Sequence, residues 1–138
     1  MYKSIMIPVD LAHTEQLPKA LKTAADLANL YDIPVTYVGA TSSVPGSAAH
    51  SPAEFEKKLQ EFAQEQAQKH GVKKVDAKAL RSHDPARDLD KVLLQGAHDL
   101  GADVIVMASH VPGVVDHVFE SHGGAVALHS DVSVFVVR

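Results

Sequence analysis

Cysteine is absent from the 138 residues, which excludes a disulfide framework, a thiolate metal site and a cysteine nucleophile. Tryptophan is absent too, and Phe and Tyr together number seven, so aromatic platforms for stacking bases are not expected. Positive charge is scarce: 13 Lys and Arg stand against 17 Asp and Glu, a formal net charge of −4. A surface that tracks a phosphate backbone needs clustered Lys and Arg, so no nucleic-acid partner is expected. No apolar run approaches the roughly 18 residues of a membrane span, and the run after Tyr2 is too short for a signal peptide. No membrane partner is expected, and a cytoplasmic protein is. Repeats, linkers and low-complexity segments are missing as well. What remains is ordinary for a globular chain, 46% hydrophobic and 22% charged, long enough to bury a core as one domain over residues 1–138.

The pattern along the chain alternates strands and helices. Ser4 to Val9 reads as a buried strand in which Pro8 lacks a ladder donor, so pairing must end there or leave that position unpaired. Leu17, Leu21, Ala24, Leu27 or Ala28 and Tyr31 recur at helical spacing, with Pro18 in the first turn. Ile33 to Thr41 is the second strand, and Ser42 to His50 is a loop. Ser51-Pro52-Ala53-Glu54 opens a helix that Gly71 stops. Lys74 to Leu80 is a more polar strand that suits a sheet edge. Asp84-Pro85 opens the third helix, whose Gly96 suggests close approach to the sheet. Asp103 to Ala108 is a buried strand, Val114 to Ser130 is mostly helical, and Val132 to Arg138 is a last strand. Strands joined by helices at this spacing predict an α/β fold, a doubly wound open parallel sheet of five strands with two helices on each face.

In such a sheet ligands bind outside the carboxyl ends of the strands. Asp10 stands at the end of the first strand. It fits either a carboxylate that accepts hydrogen bonds from a ligand or a loop cap. After the fourth strand, Ser109, the backbone from Val111 to Gly113, and Ser121 before His122-Gly123-Gly124 have the makings of an N–H pocket for phosphate. Against this, the dinucleotide and phosphate-loop motifs are absent, and the glycines serve equally for a turn and for close packing. His110, His117 and His122 with Asp116 and Glu120 supply nitrogen and oxygen ligands. Yet His117 and His122 are five apart, about 140° around a helix, so no metal site is expected. No nucleophile elbow, triad spacing or facing carboxylate pair occurs, and no catalytic residue is assigned. The last strand is apolar on both faces; at an edge it would invite pairing with a second copy.

Three stretches together resemble the universal stress protein family over essentially the whole chain. They are Tyr2-Lys-Ser-Ile-Met-Ile-Pro-Val-Asp10, Gly101-Ala-Asp-Val-Ile-Val-Met-Ala-Ser-His110 and Val132-Ser-Val-Phe-Val-Val-Arg138. The loop Ser109-His110-Val111-Pro112 is similar to that of the branch reading Ser-His-Arg-Pro. The resemblance implies the strand order 3-2-1-4-5 of the adenine-nucleotide alpha-hydrolase-like fold, a homodimer through strand 132–138, and a switch-point site for adenine nucleotide. Carried over, Asp10 matches the acid near adenosine, and Ala40 the part of strand two that meets adenine. The family's Gly-x2-Gly-x9-Gly-Ser/Thr motif, whose last interval is one shorter in the resembling branch, falls on Ala108, on Val111 (standing for the second Gly or for the branch's Arg), on Glu120 and on Ser121, of which only Ser121 keeps its type.

The departures point one way. A carboxylate at Glu120 lies where the resemblance places phosphate oxygens, and unit charges 4 Å apart repel by about 4 kcal/mol at an effective dielectric near 20. Bound Mg²⁺ or an outward rotamer would relieve this. Val111 offers no guanidinium, and His83 replaces a Gly typical of the loop after strand three. The residues therefore name no cofactor. The expected function is a stress-response protein acting by binding or protein contacts, with a degraded nucleotide site and weak or no ATP binding. The alternatives are an ATP-binding switch, with Mg²⁺, using Asp10 and the 108–122 loop, and a metal-binding or hydrolytic module built on the His cluster.

Overall fold

Alternation along the central strands decides which residues face which layer of helices. In the computed structural model, which describes residues 1–41, 51–108 and 122–138, β1 (Ile5–Pro8), β2 (Val35–Thr41), β3 (Val75–Arg81), β4 (Val104–Ala108) and β5 (Ser133–Val137) form one sheet. The order is β3-β2-β1-β4-β5 and every pairing is parallel. Ile5, Ile7 and Val9 turn to one face, where they pack with Leu21, Ala24 and Ala28 of α1 (Pro18–Tyr31) and Phe55, Leu59 and Ala63 of α2 (Pro52–His70). Met6, Val38, Ile105 and Met107 turn to the other. There they meet Leu89 and Leu93 of α3 (Pro85–Leu100) and Val126 of α4 (His122–His129). Two helices on each face is the arrangement expected from the alternating pattern.

Pro8 shapes the end of β1. Ile5 and Val9 donate their N–H groups to Pro34 and Val38, so odd positions of β1 address β2. Even positions address β4, and Pro8, an even position, has no N–H to give. Accordingly the β1–β2 register runs through Pro8↔Val38, whereas the β1–β4 register holds only Ile5↔Val104 and Met6↔Ile105. The pairing ends on one side of Pro8 and continues on the other. At the opposite end, Asp103 ties β1 to β4, because its carboxylate accepts the N–H groups of Lys3 and Ser4 at 2.9–3.1 Å.

Helix termini largely follow their sequence signals. Ser51 caps α2, its Oγ accepting the Glu54 N–H at 3.1 Å, and Asp84 caps α3 through the Arg87 N–H at 3.3 Å. Gly71 and Gly101 end α2 and α3 in the left-handed conformation. Three details differ from expectation. β2 begins at Val35 rather than Ile33. Tyr31 lies at the surface, with its ring edge-to-face against Tyr2 at 5.6 Å. Gln66 of α2 is buried beside the apolar stripe.

Candidate functional site

β1 and β4 part at Pro8, with β2 beside β1 on one side and β5 beside β4 on the other, so the crossing order of the sheet reverses here. Asp10 sits at this point, two residues past Pro8. The backbone turns at once: the His13 N–H donates to the Asp10 carbonyl at 3.0 Å, and a 3₁₀ turn over Thr14–Gln16 leads into α1. This turn folds two donors onto the Asp10 carboxylate. The Ala12 N–H reaches Oδ1 at 3.0 Å, and Nδ1 of His13 stands 2.9 Å from Oδ2. Asp10 thus acts as a loop cap, one of the two roles its position allowed, and keeps acceptor capacity beyond the two bonds.

The Asp10 carboxylate is mostly buried, whereas the His13 side chain is 43% exposed. Hydrogen bonding to Asp10, and then its negative charge, raise the His13 pKa above the ordinary 6.5; Glu15 adds a smaller push and burial opposes it. His13 was not picked out from sequence. The only available signal was a His three residues after the strand-end acid.

Of the other residues named from sequence, Ala40 and Ala108 are half-buried at the carboxyl ends of β2 and β4. They face opposite layers, Ala40 packing toward α3 and Ala108 toward α1 and α2. Ala40 is in register with Leu80 of β3, and Ala108 with Val137 of β5. His83 is exposed just after β3. Beside it the Ser82 N–H donates to Thr41 at 2.9 Å, while Ser82 Oγ is buried without a partner. His122 opens α4. Ser109, His110, Val111, Gly113 and Ser121 lie outside the described residues, as do Glu120 and most of the His cluster. Among the described residues, no group of three or more His, Asp or Glu is placed to hold a metal ion, and no helix is long and apolar enough to cross a membrane.

A groove of about 170 Å³ lies at the other end of the sheet, lined by Ala97 and His98 of α3 and by Ser130, Asp131 and Val132 before β5. It is remote from the gap between β1 and β4, and its open, mixed lining builds no recognisable chemistry.

A doubly wound parallel sheet with order 3-2-1-4-5 defines the class of open α/β folds, and Asp10 stands at its switch point. Within that class, the model of the universal stress protein family matches residues 1–138, and the chain belongs to this family. It is 32% identical over 148 residues to universal stress protein G of Shigella flexneri, covering 100% of both chains. Solved structures share the fold. A universal stress protein from Archaeoglobus fulgidus in complex with dAMP superposes with a TM-score of 0.69 at 21% identity, covering 99% of this chain and 98% of that one. A universal stress protein in complex with cAMP superposes with a TM-score of 0.70 at 17% identity, covering 99% of this chain and 97% of that one.

Proposed function

We propose that this chain is a cytoplasmic, single-domain, homodimeric universal stress protein that acts by binding and by protein contacts rather than by turnover. Its crevice combines Asp10, Ala40 and Ala108 with Ser109, His110, Val111, Gly113, Ser121 and His122. The observation that carries the reading is the mostly buried Asp10 carboxylate at the gap Pro8 opens between β1 and β4. A fixed acceptor there suits the hydroxyls of a ribose. The relatives solved with dAMP and cAMP, each bearing a single phosphate, support the adenosine end of that site.

The triphosphate end is weakened. Glu120 brings negative charge, and Val111 brings none of the positive charge that would offset it. The crevice therefore favours an adenine nucleotide with one phosphate over ATP. Calorimetric titration with AMP and with ATP plus Mg²⁺ tests this. AMP is expected to bind more tightly than ATP, and Glu120→Gly is expected to improve ATP at least tenfold while leaving AMP nearly unchanged. Micromolar ATP affinity with Glu120 in place would overturn the weakened site and favour a nucleotide-driven switch.

The dimer reading rests on β5. Among the described residues β5 pairs only with β4, so its other edge is open, and Phe135 is 47% exposed along it. Pairing with a second copy of β5 about a two-fold axis would satisfy those backbone groups and cover Phe135.

A further inference from the structure

We propose that His13 is a positioning residue of the crevice: it holds the Asp10 carboxylate in the one orientation that can receive the ribose hydroxyls of an adenine nucleotide. This rests on the adenosine reading given above and adds to it a residue that strand-end position alone does not mark.

A carboxylate at the end of a strand, where the chain turns away, is otherwise free to rotate about two bonds. Two donors on different oxygens remove that freedom. The Ala12 N–H fixes Oδ1 at 3.0 Å and His13 Nδ1 fixes Oδ2 at 2.9 Å, which sets both the direction and the plane of the group. An ionised carboxylate has about four acceptor sites, so the two left open point in defined directions. His13 is itself held. Its N–H donates to the Asp10 carbonyl at 3.0 Å, and its carbonyl accepts the Gln16 N–H at 3.3 Å. The arrangement does not depend on charge, since both the imidazolium and the neutral ring with its proton on Nδ1 donate to Oδ2. One donor is backbone, which only proline would remove while also restricting the turn; the other is a half-exposed side chain that a simple substitution removes.

Losing one donor leaves the ligand to order the carboxylate on binding, which weakens affinity by roughly three- to tenfold. Titration calorimetry with AMP on the full chain, at one pH, compares the wild type with His13→Ala, His13→Asn and Asp10→Ala. The Asn amide nitrogen takes the place of Nδ1 and restores the donor without the ring. The expected result is a three- to tenfold loss in His13→Ala, recovery to within twofold in His13→Asn, a larger loss in Asp10→Ala, and only the small drop in melting temperature that loss of the exposed His13–Asp10 pairing brings in both His13 variants. Wild-type affinity in His13→Ala, alongside weakened Asp10→Ala, would overturn the role of His13 and leave the adenosine site standing. Equal losses in His13→Ala and His13→Asn would overturn positioning, because the ring itself would then be what matters. Failure of the wild type to bind AMP at millimolar concentration would overturn this role together with the adenosine reading.

Discussion

A Cβ on Gly39 would stand 2.6 Å from Cζ of Phe55, whereas one on Gly96 would stand 2.8 Å from Cδ1 of Leu80. The distances are similar but the neighbours are not. Phe55 is a buried ring with no room to retreat, while Leu80 is half-buried and only the end of its side chain must move. Gly39→Ala is expected to cost about 1–3 kcal/mol by overpacking. Gly96→Ala gains about 1 kcal/mol of helix propensity against a small shift of Leu80 and is expected to be near neutral; urea unfolding of both variants checks the contrast. His13 supplies a pH test at the same scale. Its folded pKa is raised above 6.5, so the stability from its charged pairing with Asp10 is fully present below about pH 6.5 and is lost as pH climbs through the raised value. His13→Asn, which cannot be protonated, is expected to lose more stability relative to wild type at pH 5.5 than at pH 8.5. The difference should be below about 1 kcal/mol, because solvent screens so exposed a pair. Asp10 was legible as a candidate from its place at a strand end. Its partner was not, because their meeting depends on the turn that brings the His13 N–H onto the Asp10 carbonyl, which Leu11-Ala12 does not announce.

Elements with local chemical punctuation were read almost to the residue. Ser51, Pro52 and Gly71 bound α2 as their side chains require, one as a hydroxyl acceptor, one as a first-turn residue without N–H, one as a left-handed stop. Ser51→Ala is expected to cost about 1 kcal/mol, measured as a shift in the urea midpoint, because the Glu54 N–H loses its acceptor. The end of α1 gave no such warning. Asp32 adopts the left-handed conformation at φ 53 and hands its N–H to Ala28, a role more often filled by Gly. The Tyr31 ring completes the helical spacing in sequence yet packs against Tyr2 at the surface, because α1 is ending there and the sheet no longer lies beneath it.

At the scale of the whole molecule, the two sheet edges among the described residues differ in character. β3 carries exposed Asp76, Lys78 and Arg81, charges that discourage pairing, whereas β5 alternates Val134 and Val136 with exposed Phe135. This asymmetry favours a closed pair of β5 strands over an open chain of sheets joined edge to edge. If β5 pairs as proposed, Phe135→Lys is expected to yield a monomer in light scattering coupled to size exclusion where the wild type is a dimer. The fold should survive, since nearly half of Phe135 is already exposed. A wild-type chain that runs as a monomer at tens of micromolar would sink the dimer.

The linear pattern alone determined the strands, the helices, their alternation and thus the layering, because periodicity and caps act within a few residues. It also placed an acid at a strand end. Tertiary structure alone decided which side of Pro8 loses its pairing, since that depends on which neighbour the nitrogen faces. It likewise decided that His13 would lock the Asp10 carboxylate. Both are matters of direction in space, which the order of residues does not carry until the backbone has turned.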